Sequence, residues 1–243
     1  MTEVMTYGYS DPGGRELNED FGSIFRKKPG IISAVVADGL GGHGGGDKAS
    51  SMVVRGLKQY LDETEEITEG GLDEVLSKLN EEIYDTNTKM KSTVAGVFID
   101  LKKKNALLFH VGDTRIYHFV NGKIESVSID HSVSQMAVYA GEITQDQIRH
   151  HADRNKLLRA MGGDEEVSVE YRTIEDLSRD DHCFLLCSDG FWEHVLEQEM
   201  EDTYEMSENP KDWIGKMREI LEDRVRDIKN DNHTAATVWL IRK

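Results

Sequence analysis

Residues 115–127 read Arg115-Ile-Tyr-His-Phe-Val-Asn121-Gly122-Lys-Ile-Glu-Ser-Val127. Asn-Gly supplies the positive φ angles of a two-residue type I′ turn. The runs on either side, Arg115 to Val120 and Lys123 to Val127, carry the β-branched and aromatic residues of strands, so the stretch predicts an antiparallel hairpin. Outward from it, short apolar runs bounded by Gly, Asp and Asn stand at Ile31 to Ala37, Thr93 to Leu101, Ala106 to Val111, Val167 to Tyr171, Cys183 to Cys187 and Thr234 to Ile241. These are expected strands. Helical spacing occupies the flanks: Ala49, Met52, Val53, Leu57, Tyr60 and Leu61 share one face, as do Leu72, Val75, Leu76, Leu79 and Ile83. A third stripe runs from Trp213 through Met217 and Leu221 to Val225 and Ile228. Helices cluster early and late with strands between. Without βαβα alternation, the expectation is an α+β fold of antiparallel sheets covered by helices rather than a doubly wound parallel sheet.

The chain has 243 residues, three prolines, no Pro-rich linker and no internal repeat, and a single domain over 1–243 is expected. Asp and Glu number 46 against 29 Lys and Arg, a formal charge of −17 that repels phosphate backbones and anionic lipid surfaces. Nucleic-acid and membrane-surface binding are therefore not expected. No stretch approaches the roughly 20 apolar residues of a membrane span, and Met1 to Ser10 has neither a basic region nor an apolar run. A cytoplasmic monomer is expected. Cys183 and Cys187, four apart in one apolar run, read as buried core thiols in a reducing compartment. Ten acids between residues 62 and 90 read as the solvated face of the second helix.

The carboxylates stand in a pattern. Asp38 closes the run Ile31 to Ala37, Asp113 follows Ala106 to Val111, Asp189 follows Cys183 to Cys187, and Asp231 precedes Thr234 to Ile241. Three of them adjoin glycine, at Asp38-Gly39, Gly112-Asp113 and Asp189-Gly190. A charge beside a core strand is usually just the first solvated position. If these strand ends converge, however, four carboxylates at one rim raise one another's pKa unless cations neutralise them, and oxygen-only ligands suit Mg²⁺ or Mn²⁺ rather than Zn²⁺.

The Gly-rich loop from Asp38 to Lys48 invites phosphate-binding readings that its spacing refuses. Asp47 intervenes after Gly46 and Ala49 follows Lys48, so a Walker A loop fails. Gly39, Gly41 and Gly44 fit G-x-G-x-x-G, with Asp62 near the ribose-binding distance. Yet Asp38 faces the place of a pyrophosphate, and the next strand waits until Thr93. A cysteine phosphatase needs Arg six residues after its thiolate; Glu193 and Asp189 occupy those positions after Cys187 and Cys183. No haloacid-dehalogenase nucleophile loop occurs, and Asn232-His233 lacks the companion motifs of calcineurin-like enzymes. In Arg15-Glu-Leu-Asn-Glu-Asp20 a guanidinium suited to a phosphate monoester stands near Glu19 and Asp20, which could orient water.

In order along the chain, Ser10-Asp11 with Arg15 to Asp20, Val36-Ala-Asp-Gly-Leu-Gly-Gly-His43, Lys91-Ser-Thr93, Val111-Gly-Asp-Thr-Arg115, Asp130-His-Ser132, Arg154-Asn155 with Leu158 to Gly162, Leu186-Cys-Ser-Asp-Gly190 and Asp231-Asn-His-Thr234 resemble the PP2C (PPM) family of metal-dependent serine/threonine protein phosphatases, in its compact bacterial form. The resemblance implies a four-layer αββα sandwich, two antiparallel sheets flanked by helices, with two Mn²⁺ or Mg²⁺ ions at one end. By position, Asp38 would bridge both ions, Gly39 would lend its carbonyl, Asp189 and Asp231 would complete the pair, and Asp113 with Asp189 would form a third position. Arg15 would hold the substrate phosphate, with Glu19 and Asp20 in the water shell. The implied reaction is hydrolysis of phosphoserine and phosphothreonine by a water activated between the ions, without a covalent phosphoenzyme. Phosphoprotein substrates and a cognate Ser/Thr kinase are the implied partners. Animal members carry His two positions after the bridging Asp where this chain has Leu40, which leaves His43 as the candidate general acid. The stretch Ser132 to Arg154 aligns with the flap of bacterial members. The alternative is a pseudophosphatase that keeps the fold as a binding module; it would be expected to lose ligands, and the carboxylates are all present.

Overall fold

A computed structural model describes residues 2–27, 30–41, 45–86 and 88–243. Its organisation follows from strand β3 (Ile31–Ala37), which is apolar at nearly every position because both of its faces are covered. Ile32, Ala34 and Val36 point into an apolar layer between two sheets, while Val35 and Ala37 pack beneath helices. The period of two in side-chain direction thus becomes a near-continuous hydrophobic run.

The first sheet orders β1 (Thr2–Asp11), β12 (His233–Arg242), β11 (His182–Cys187), β8 (Arg115–Val120) and β9 (Lys123–Val127). The second orders β10 (Glu170–Ile174), β7 (Asn105–Val111), β6 (Val94–Asp100), β3 and β2 (Phe21–Lys27). Every pairing is antiparallel. A two-stranded ribbon, β4 (Gly39–Leu40) with β5 (Lys91–Ser92), sits at the end of β3. Helices α1 (Gly46–Glu63) and α2 (Glu69–Tyr84) bury Val53, Leu57, Leu72 and Leu76 against the second sheet. On the first sheet lie α3 (Val133–Tyr139), α4 (Asp189–Trp192), α5 (Glu197–Glu205) and α6 (Pro210–Val225), with Trp213, Met217 and Leu221 in its core. The layers are therefore helix, sheet, sheet, helix, as the sequence implied. No helix among the described residues is long and apolar enough to cross a membrane.

The hairpin β8–β9 turns at Asn121 and Gly122 with φ of 50° and 81°, the left-handed pair that a type I′ turn needs. Two expectations shift. The strand read at Val167 to Tyr171 begins at Glu170: Val167 and Val169 pack on the core without pairing. The last apolar stripe ends with α6 at Val225, leaving Ile228 exposed beyond it. Cys183 and Cys187 are free and buried, and burial pushes both thiols up.

Core packing leaves one strand position no room for a side chain. A Cβ at Gly96 in β6 would stand 2.1 Å from Cζ of the fully buried Phe109, which stacks on Phe98. Gly96→Ala is expected to cost about 2–3 kcal/mol by overpacking, a fall of roughly 5–10 °C in melting temperature. Combining it with Phe109→Leu should recover part of the loss; calorimetry on the four proteins measures both effects.

Candidate active site

The ends of the strands bring the predicted carboxylates to one rim. Asp38 leaves β3 with its N–H donating to Thr93 Oγ1 at 3.0 Å and its carbonyl accepting from Thr93 N–H at 2.8 Å, which ties it to β6. Asp113 follows β7 after Gly112, whose φ of 98° allows the turn. Asp189 opens α4, and Asp231 stands two residues before the start of β12. Gly190 must be glycine for this approach, since a Cβ there would meet the Asn232 carbonyl at 2.1 Å. The result is a cleft of about 460 Å³ lined in part by Arg15, Glu19, Asp38, Asp113, Asp189 and Asp231.

Asp20 lies buried just beneath. Its Oδ2 accepts from the Ser188 hydroxyl at 2.7 Å, while Oδ1 has no partner. Burial holds the Asp38 carboxyl well above the usual carboxylate range, reinforced by the charges of Asp20, Asp189, Asp113 and Asp231. Burial likewise pushes Asp20 and Asp189 up to about 7. Asp113 rises through burial and then the charges of Asp189 and Asp130, and Glu19 rises chiefly through burial. This is the signature of acids crowded together with too little positive charge.

The donor set is one that divalent cations fit. It consists of oxygens only, its members repel one another when ionised, and one buried carboxylate oxygen is left over. Gly39 belongs to the same rim: a Cβ there would lie 2.1 Å from the Gly46 carbonyl oxygen and 2.6 Å from that of Glu19, so backbone alone fits. A second group invites comparison, because ligand atoms of His110, His131 and Glu170 lie within 4.8 Å of one another. There, His131 Nδ1 accepts from Gly112 N–H at 3.1 Å, so the proton of the neutral ring sits on Nε2, the atom that faces Glu170. A protonated ring nitrogen is no ligand.

Arg15 stands at the mouth of the cleft, half exposed, with Nη2 donating to Asp231 Oδ2 at 2.6 Å. It is thus held by a member of the carboxylate set while remaining open to solvent. Glu19 accepts from Gly46 N–H through Oε1 at 3.2 Å, and its carbonyl receives the Ser50 hydroxyl at 2.6 Å, pinning the start of α1. His43 lies outside the described residues. The sequence reading missed Asn232 as a brace: its Oδ1 accepts from Glu19 N–H at 2.8 Å and its Nδ2 donates to the carbonyls of Pro12 and Leu17, fastening the Arg15 loop beside Asp231. The signal is its place in Asp231-Asn-His233, directly after a candidate carboxylate.

Comparisons with known proteins give the family. The model of the family "Protein phosphatase 2C" matches residues 8–231. The serine/threonine phosphatase stp of Listeria welshimeri is 35% identical over 201 residues, 77% of each chain. The crystal structure of the serine/threonine phosphatase Stp1 from Staphylococcus aureus superposes with a TM-score of 0.86 at 26% identity, covering 100% of this chain and 96% of that one. The catalytic domain of the phosphatase PstP, solved in complex with two manganese ions, shares the fold at a TM-score of 0.79 and 23% identity, with 100% of both chains covered. The chain belongs to the protein phosphatase 2C family. Its activity is that of a protein-serine/threonine phosphatase.

Proposed function

We propose that the chain hydrolyses phosphoserine and phosphothreonine esters of proteins with the help of Mn²⁺ or Mg²⁺, held by Asp38, Asp189 and Asp231 with the Gly39 carbonyl, and by Asp113 with Asp189 at a third position. The observation that carries this reading is the convergence on Asp38 of Asp20, Asp113, Asp189 and Asp231 from both sheets, with burial and mutual repulsion opposing their ionisation. Bound divalent ions would supply the neutralising charge and the Lewis acidity that hydrolysis of a phosphate monoester requires.

The remaining work falls to the chain's own groups. Arg15 offers a guanidinium at the cleft mouth, and its matched pair of N–H donors suits phosphoryl oxygens as charge moves onto them. Its bond to Asp231 sets where that fork points. Asp20, braced by Ser188, presents Oδ1 as the acceptor for a water proton at the floor of the site. Glu19 flanks the cleft as a further acceptor. A net charge of −17 favours neutral or basic sequence around the phosphorylated residue, so the partners in this reading are phosphoprotein segments and the kinase that makes them. A cytoplasmic location accords with such partners.

The test is phosphate release from a phosphothreonine peptide by the purified protein with Mn²⁺ and with EDTA. Release that depends on Mn²⁺ is expected. Equal rates in EDTA would overturn the role given to the ions, and no release from folded, Mn²⁺-supplied protein would overturn the peptide substrate.

A further inference from the structure

Between α3 and β10 the chain crosses the helical side of the first sheet as a 3₁₀ turn, Gln145–His150, and directs two side chains inward. Ile148 joins the core there, and the adjacent Arg149 is only 6% exposed. A buried guanidinium needs partners. Arg149 Nη2 donates to both carboxylate oxygens of Glu197 at 2.6 Å, and its guanidinium carbon lies 5.5 Å from the centre of the Trp192 ring. Arg115 approaches the same ring to 3.5 Å while forking onto Asp130 at 2.9 and 2.7 Å. Two cations and two anions thus enclose one indole.

That indole has a single polar handle. Trp192 Nε1–H donates to the backbone carbonyl of Asp113 at 2.9 Å. A continuous set of contacts therefore leads from the seat of the 3₁₀ turn, through Arg149 and Trp192, to the peptide that carries one carboxylate of the cluster. The hydrogen-bond inventory of Arg149 does not account for burying it, because its Nη1 has no partner. For the fold alone an unbranched apolar side chain would serve as well.

We propose that Arg149 is a positioning residue for Asp113: it clamps Trp192, Trp192 holds the Asp113 carbonyl, and the aim of that carboxylate toward bound cations depends on the 3₁₀ turn being seated. This rests on the reading of Asp113 as an ion ligand. Seating of the segment 145–150 and affinity at the Asp113 position then rise and fall together.

The test is calorimetric titration of Mn²⁺ into metal-free protein, with Arg149→Met, Trp192→Phe, their double variant, Arg149→Lys and Asp113→Asn. Arg149→Met and Trp192→Phe are each expected to weaken the weakest Mn²⁺ site by about fivefold to tenfold, in the range of coupling carried by packed networks. The double variant should be no more than about twofold weaker than the weaker single, since both act through one contact. Arg149→Lys, which keeps the charge on Glu197, should lie within about twofold of wild type, and the peptide KM at saturating Mn²⁺ should stay within about twofold in all of the Arg149 and Trp192 variants. Wild-type Mn²⁺ affinity in Arg149→Met overturns the inference, as does multiplication of the two effects. If Asp113→Asn weakens Mn²⁺ binding while Arg149→Met does not, only this inference fails; if Asp113→Asn changes nothing, the ion-ligand reading of Asp113 fails with it.

Discussion

An Asp38→Asn protein is expected to lose at least about a thousandfold in kcat/KM on a phosphothreonine peptide, roughly 4 kcal/mol of transition-state stabilisation, and yet to melt higher than wild type in EDTA at pH 7.5. Both effects have one cause. In the absence of cations burial and four neighbouring carboxylates disfavour the ionised form of Asp38, a penalty the unfolded chain does not bear. The folded wild type therefore carries a cost that the neutral, isosteric Asn does not. With Mn²⁺ the order reverses, because the variant lacks the carboxylate on which the other four converge. Scanning calorimetry with and without Mn²⁺, run beside the peptide assay, reads both. A variant that is inactive and equally destabilised in both conditions would mean that Asp38 is a packing residue.

The second large effect concerns pH. Asp20 and Asp189 titrate near 7 in the fold against 3.8 for a free carboxyl, burial being the main cause. Between those values the folded chain binds more protons than the unfolded chain, so the free energy of unfolding falls as pH rises. The stability these groups lend is complete below pH 4 and is lost as pH climbs through about 7. Metal-free protein should accordingly melt lower at pH 8 than at pH 5.5, against the usual trend for carboxylates in ion pairs. Mn²⁺ at about a hundred times its dissociation constant adds about 2.7 kcal/mol, or roughly 5–10 °C for a chain of this size. That gain should appear at pH 8 and shrink at pH 5.5, where protons compete for the same oxygens. A melting temperature in EDTA that is flat across this range would show that positive charge inside the protein already balances the cluster.

Much of this was legible in the sequence because the signals were local. The β8–β9 hairpin announced itself through Asn121-Gly122, and Asp38, Asp113 and Asp189 through their place beside glycine at the end of apolar runs. Strand β1 was not read at all. Its ten residues are only half buried and mix Tyr, Thr, Gly and Ser without clean alternation, and what fixes them is backbone pairing along the whole of β12. The partner of Arg15 lies 216 positions away at Asp231, beyond any spacing rule. Arg149 gave no signal either, since a guanidinium over an indole leaves no period.

Strand β12 lies between β1 and β11, pairing with both, and Asp231 stands at its threshold. During synthesis, then, the ten residues of β1 must wait for β12, more than 220 positions later, before their sheet can close. Until then the acidic cluster is missing a member and its first sheet is in two pieces. A nascent chain stalled short of residue 231 can bury the α1–α2 half of its core, but it lacks one carboxylate of the cluster. The order of the strands thus ties assembly of the acidic cluster, and closure of the first sheet, to the synthesis of β12.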